Sequence, residues 1–374
     1  MDLIELHILQ SFPVTCLNRD DVGAPKSAVF GGCQRARVSS QCWKRAIRPL
    51  AQEQDADHFA GQRTRFVIRE LEHEFSAHGS DDELAHGFAI VTADALGKLD
   101  DVERGNVKTL LFLSPQEIQA VVAAILAQEL DEQSVRLLAR GAADDKKDDK
   151  KREAAAKALS KPVAKAVKAL SAAVKDAADI AVFGRMVADD HSLTVEGAGL
   201  FSHAISTHAT ANEIDFFSAV DDMKPSDDDA GAGHIGTLEF NSACYYRYVG
   251  LNVDLLADDG HLGHFTDEER AGVIRTFLHA AIEAVPKARK NSMFGFTPPA
   301  YVMGLRRMGQ PLSLVNAFEA PIRGLQGYID RSIEALEAHW KALRSTYCLE
   351  AKEQRLPPVN VRDFVDALVA GGEA

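Results

Sequence analysis

The stretch from Arg35 to Leu50, RARVSSQCWKRAIRPL, changes period at its centre. Arg35, Arg37 and Ser39 alternate with Ala36 and Val38, the two-residue period of a strand. Such a strand presents two guanidiniums side by side. Ser40 then reads as a helix N-cap. After it, Trp43, Ala46, Ile47 and Leu50 recur at helical spacing and face a core. Gln41, Lys44, Arg45 and Arg48 recur on the opposite face, and Pro49 ends or kinks the helix. A strand leading directly into a helix with one cationic face sets the tone for the rest of the chain.

Upstream, Leu3 to Leu9 alternates, with Ile4, Leu6 and Ile8 against Glu5 and His7, and predicts an N-terminal strand. Ser11 to Gln34 is a loop containing Pro and Gly. Downstream, residues 59–179 read as mostly helical, with a capping box at Ser114-Pro115-Gln116-Glu117. The mixed-charge run 144–152 reads as solvated and mobile. Ile180 to Met186 predicts a strand returning to a sheet, and Asp189 to Gly236 a long excursion outside the core. Thr237 to Asp254 reads as one or two strands. Thr266 to Glu269 is a second capping box, opening a helix to about Val285. Two C-terminal helices follow, the last capped by Asn360 and closed by Gly371. No internal repeat is visible. The order predicts an α+β fold with two insertions.

The 374 residues carry 42 Lys and Arg against 55 Asp and Glu, a formal charge of −13. No uncharged stretch approaches the roughly 18 apolar residues of a membrane span. The N-terminus holds Asp2 and Glu5 and lacks signal-peptide order, which predicts neither export nor a membrane partner. Five Cys, with no C-x-x-C pair, fit a reducing cytoplasm and argue against a disulfide framework or a zinc finger. Net acidity taken alone argues against nucleic acid. The charges are segregated, however. Val22–Gln52, Lys150–Lys175 and Ala284–Phe318 together carry +18, leaving −31 for the remainder. In the second window, Lys157, Lys161, Lys165, Lys168 and Lys175 fall in a helical stripe about 80° wide. Leu159, Val163, Ala166, Val167, Leu170 and Val174 lie opposite. This is either a wet amphipathic face or a row of ammoniums spaced to follow phosphates.

Several motifs are weaker. Gly231-Ala-Gly233-His-Ile-Gly236 has the dinucleotide spacing, but an acidic loop precedes it and a strand pattern follows, so it reads as a hinge. The pairs His203/His208 and His261/His264 lack zinc spacing. Asp20-Asp21, Asp189-Asp190 and Asp221-Asp222 could hold magnesium, as a nuclease needs, but adjacent acids are common in solvated loops. Phe216-Phe217 is either a small cluster under a loop or a wedge for bases. Phe294-Gly-Phe296, beside Lys287, Arg289 and Lys290, is a second basic–aromatic neighbourhood or a buried strand with exposed flanks.

Several of these residues in fixed order resemble the CasC family, the backbone subunit of the type I-E CRISPR surveillance complex, Cascade. The block is C-L-N-R-D-D from Cys16, then Lys26, V-F-G-G from Val29, R-V-S-S-Q from Arg37 and K-R-A from Lys44. F-G-R-M from Phe183, H-A-I-S-T-H from His203 and D-F-F-S-A-V-D-D from Asp215 are similar too. The resemblance implies an RNA-recognition-motif-like palm (1–58, 180–189 and 237–374), an inserted helical finger domain (59–179) and a long thumb-like loop (190–236). It implies a non-catalytic subunit that oligomerises along a CRISPR guide RNA and supports recognition of target DNA in antiviral defence. Its other partners would be the large, small and RNA-end-capping subunits, with no metal or other cofactor. By matching position, Arg19, Lys26, Ser39, Gln41, Lys44, Arg45 and Arg48 would contact RNA, and Met186 and Phe217 would wedge beside a displaced base. Lys157, Lys161 and Lys165 are similar in kind to a surface that touches DNA. The alternative is a metal-dependent ribonuclease subunit of a CRISPR effector complex. No aromatic RNP-type strand is present, which predicts binding by backbone and shape.

Overall fold

The computed structural model describes residues 1–101, 104–140, 146–171, 173–187, 193–219, 234–324 and 326–370, with the backbone alone at 146–149, 171 and 234. The strands are β1 (Asp2–Thr15), β2 (Ser27–Phe30), β3 (Cys33–Val38), β4 (Gln62–Thr64), β5 (Leu99–Asp101), β6 (Asn106–Val107), β7 (Leu111–Leu113), β8 (Gly199–Phe201), β9 (Ala204–Ser206), β10 (Glu213–Ala219), β11 (His234–Asn252), β12 (Tyr301–Met308) and β13 (Lys352–Leu356). The helices are α1 (Ser40–Gln54), α2 (Ile68–Ala77), α3 (Asp82–Gly97), α4 (Pro115–Leu126), α5 (Glu132–Ala139), α6 (Lys146–Val167), α7 (Ala178–Phe183), α8 (Val253–Leu256), α9 (Asp267–Glu283), α10 (Ile329–Thr346) and α11 (Val361–Val369). The chain divides into two units, and the α+β expectation holds. No helix among the described residues is long and apolar enough to cross a membrane.

The first unit is Met1–Glu53, Gly199–Asp254 and Ile274–Ala374. Its antiparallel sheet has the order β13-β12-β1-β11-β9-β3-β2, with β8 and β10 also pairing with β11. β1 lies between β12 and β11, so both its edges are paired, and Leu3 to Gln10 are buried on both faces. Glu5 and His7, on the face opposite Ile4, Leu6 and Ile8, are fully buried. Glu5 accepts from Tyr248 Oη (2.7 Å), Arg307 Nε (2.5 Å) and the Leu312 amide (2.8 Å), which satisfies the charge. Burial pushes His7 down to about 3, and its Nδ1 meets Tyr246 Oη at 2.9 Å.

The excursion placed at 189–236 is corrected in part. β8 and β9 lie in this sheet, with Ala204, Ile205 and Ser206 buried. Three-residue strands are too short to display a period. Helix α1 begins as expected, but its cap is Ser39, whose Oγ accepts from the Cys42 amide at 3.3 Å, and not Ser40. Pro49 does not end it. The face of Trp43, Ile47 and Ala51 stays buried past the proline, so packing holds the helix to Gln54.

The second unit is Gln54–Ala198 and Leu255–Val273. Helices α2 to α6 enclose a core that includes Leu71, Phe75, Phe88, Val121, Val135 and Val163. The Ser114 capping box forms at α4, the Thr266 box at α9 and the Asn360 cap at α11, while Gly371 lies outside the described residues. The expected strand at 180–186 is helix α7 instead. All six of its residues are buried, Asp179 included, and the four-residue apolar run Ile180 to Phe183 has no period to separate helix from strand. It closes at Gly184, in the left-handed region at φ +79°. The mixed-charge run, expected to be mobile, is helical from Lys146 onward.

Candidate nucleic-acid interface

Trp43 positions the cationic face of α1. Its indole lies under the guanidinium of Arg247, 4.1 Å from the ring centroid. Arg247 is itself buried and donates to the last carbonyls of α9, Ala281 (3.0 Å) and Ile282 (3.2 Å). Burial pushes its pKa down to about 9. This stack fixes α1 beside the segment that follows α9. Arg45 and Arg48 from α1, Arg19 from the loop after β1, and Lys287 and Arg289 after α9 consequently line one groove of about 860 Å³. Two basic windows roughly 240 residues apart in sequence meet there.

Asp20 and Asp21 also line the groove. The Asp20 carboxylate accepts from the Val22 (3.0 Å) and Ala24 (2.9 Å) amides, so it folds the loop that presents Arg19. Burial pushes the Cys42 thiol, on the same wall, up to about 11 and keeps it uncharged. Among the described residues, no three His, Cys, Asp or Glu side chains converge as metal ligands.

The remaining sequence candidates are placed as follows. Gln41 is exposed and Lys44 half-buried, its ammonium 4.9 Å from the Phe201 ring centroid. Lys26 is half-buried, and its carbonyl accepts from the Arg37 amide at 2.9 Å. Ser39 is buried as the cap of α1. In the second unit, Lys157, Lys161 and Lys165 are exposed opposite Leu159, Val163 and Ala166. Lys175 lies beyond α6 and pairs with Glu269. Met186 is 78% exposed, beside a buried Arg185. Arg185 holds Glu117 at 2.6 Å and the Leu193 carbonyl at 3.0 Å. Burial pushes the Glu117 carboxyl up, against the pull of Arg185.

In the first unit, β10 and the outer half of β11 form a ribbon. Phe217 is half-buried over Gly236, where an added Cβ would lie 2.5 Å from the ring. Phe216, on the other face, is 65% exposed with Ile214 and Ile235. The acid pairs at 189–190 and 221–222 and the glycines Gly231 and Gly233 lie outside the described residues.

Three cations counted into the basic windows are engaged within the first unit, Arg35 and Arg307 buried and Arg306 half-buried. Arg35 is fully buried and donates to the carbonyls of Phe30, Ser206, Phe318 and Glu319. Arg307 pairs with Glu5, and Arg306 with Asp2 at 2.7 Å. Arg37, next on the strand face of Arg35, is instead half-buried and donates through Nη1 to His203 Nδ1 at 3.2 Å. An arginine is always a donor, so His203 carries its proton on Nε2. Burial, then Arg37 and Lys26, depress its pKa. Neither Arg37 nor His203 stood among the sequence candidates for RNA contact, although each opened a stretch that carried the family resemblance; their pairing was not legible in the sequence. His208, the other member of the first histidine pair, accepts from the Cys244 amide and stacks on Tyr328 at 3.6 Å. His261 and His264 bind the carbonyls of Glu196 and Val174.

No curated protein matches this chain. Solved structures do. A chain of a "CRISPR RNA-guided surveillance complex, pre-nicking" is 28% identical with a TM-score of 0.79, covering 98% of this chain and 99% of that one. A chain of another "CRISPR RNA-guided surveillance complex" is 24% identical with a TM-score of 0.67 over 98% and 99%, a likeness of fold. The family described as CT1975-like protein matches residues 4–363. The resemblance carried by the N-terminal block is thereby borne out, and the chain belongs to the CT1975-like protein family.

Proposed function

We propose that this protein is a non-catalytic, RNA-binding backbone subunit of a Cascade-type complex, working in the cytoplasm in antiviral defence. The observation that carries this reading is the groove ringed by Arg19, Arg45, Arg48, Lys287 and Arg289. A row of cations suits a subunit that must hold any guide sequence by its backbone, while base pairing reads the target. In this reading the first unit is the RNA-recognition-motif-like palm and the second carries the fingers. The β10–β11 ribbon belongs to the thumb, which closes on the guide RNA toward the next copy. Phe217 and Met186 would stand beside a displaced base, and Lys157, Lys161 and Lys165 would meet target DNA. Copies stacked along the guide would join the large, small and RNA-end-capping subunits. The likeness to surveillance-complex chains over nearly their whole length supports it.

The test is nucleic-acid content after purification. Lys44→Glu, Arg45→Glu and Arg48→Glu together are expected to abolish RNA co-purification while the protein still melts cooperatively, at a temperature lowered by the loss of the Lys44–Phe201 contact. RNA retained in that variant sinks the reading. Incubation with RNA and magnesium tests the non-catalytic part: cleavage that disappears in Asp20→Ala or Asp21→Ala overturns it.

A further inference from the structure

The Phe294-Gly295-Phe296 segment remains outside that function. Gln10 Nε2 donates to the Thr297 carbonyl at 2.6 Å, and Thr297 Oγ1 to the Ser11 carbonyl, also at 2.6 Å, pinning the segment to β1. Gly295 permits the approach, since a Cβ there would lie 2.0 Å from Thr15 Cγ2. The flanking rings are thus held outward, Phe294 74% and Phe296 54% exposed. Behind them is a cavity of about 260 Å³ lined by Leu17, Ala46, Leu50 and Met293. It shares Leu17, Ala46, Pro286 and Lys287 with the cationic groove, so the two are continuous. Lys287 and Lys290 line it together with Glu53 and Glu283, so its cationic side is the one it shares with the groove.

A cationic channel opening onto exposed aromatic faces is how sequence-tolerant single-strand binders are built: phosphates follow the charge and bases stack on the rings. The cavity is smaller than the 300–1,000 Å³ or so of drug-sized sites, which suits one heteroaromatic ring. We propose that this cavity seats a nucleobase of the single-stranded RNA whose phosphates lie in the adjoining groove, with Phe294 as the stacking face. The proposal rests on the RNA-binding reading and adds a base contact to it.

The test uses the full chain and single-stranded RNA oligonucleotides carrying 2-aminopurine at successive positions. Wild-type protein is expected to change the fluorescence of the analogue at one register. Phe294→Ala should abolish that change and weaken binding about tenfold, and Phe294→Tyr should restore both. Phe294→Leu, which fills space without a ring, should restore neither. Phe296→Ala serves as a second probe should Phe294→Ala lower the melting temperature. Unchanged fluorescence and affinity in both alanine variants overturn the proposal. So does altered self-association in sedimentation with RNA binding intact, which would give the cavity to a protein contact. Wild-type protein that binds no RNA at all fails the parent reading instead.

Discussion

At the scale of single residues, Arg35 and Arg37 show how one strand face divides between structure and surface. Both alternate correctly, yet Arg35 satisfies four main-chain carbonyls inside the first unit and Arg37 reaches His203. Alternation gives a side chain's direction but not what stands over it. In the RNA-binding reading, Arg37 beside Lys26 and the His203 Nε2–H would be a second set of donors for a phosphodiester. Arg37→Ala is then expected to make the negative slope of log affinity against log salt shallower by about 0.7, the loss of one phosphate contact on a single strand. Fluorescence anisotropy across a salt series measures it. An Arg35→Ala variant should instead lose folded protein, because two buried and two part-buried carbonyls lose their donor.

At the scale of elements, the second unit is held at its helix ends by carboxylates. Asp81 caps α3, accepting from the Leu84 amide at 3.0 Å, and Asp131 caps α5, accepting from the Ser134 amide at 3.0 Å. The Arg136 guanidinium, then the Leu84 amide, hold Asp81 down to about 2. Lys175 and then the Thr266 amide hold Glu269 down to about 2, and the Ser134 hydroxyl depresses Asp131. Folded values below the unfolded ones give stability that is present above about pH 4. It is lost as pH falls through the folded values toward 2. A melting series by circular dichroism from pH 5 to 2 should show this fall, and Asp81→Asn with Asp131→Asn should flatten it. Caps of this kind are local, and Ser114, Thr266 and Asn360 were read from spacing alone, whereas Asp81 and Asp131 came only from the structure. The strands β8 and β9 and helix α7 were not legible in the sequence, because a three- to six-residue run carries no period and takes its form from what covers it.

At the scale of the whole molecule, the charge balance of −13 misleads because it averages over the surface. Five cations on one groove are expected to contribute about −3.5 to the salt slope for single-stranded RNA, at roughly 0.7 per phosphate. A slope near zero in an RNA-binding titration would show that the groove makes no electrostatic contact.

The amino-acid sequence by itself determined the α+β class, the cationic face of α1, the lysine face of α6, the caps at Ser114, Thr266 and Asn360, and the family. Each of these is written in neighbours along the chain, in periods of two or 3.6 residues or in motifs of fixed spacing. Only the tertiary structure decided which cations are available. It turned Arg35, Arg306 and Arg307 inward and brought Lys287 and Arg289 beside Arg45 and Arg48 through the Trp43–Arg247 stack. The physical reason is that burial and long-range proximity depend on contacts between distant segments, which no local pattern encodes.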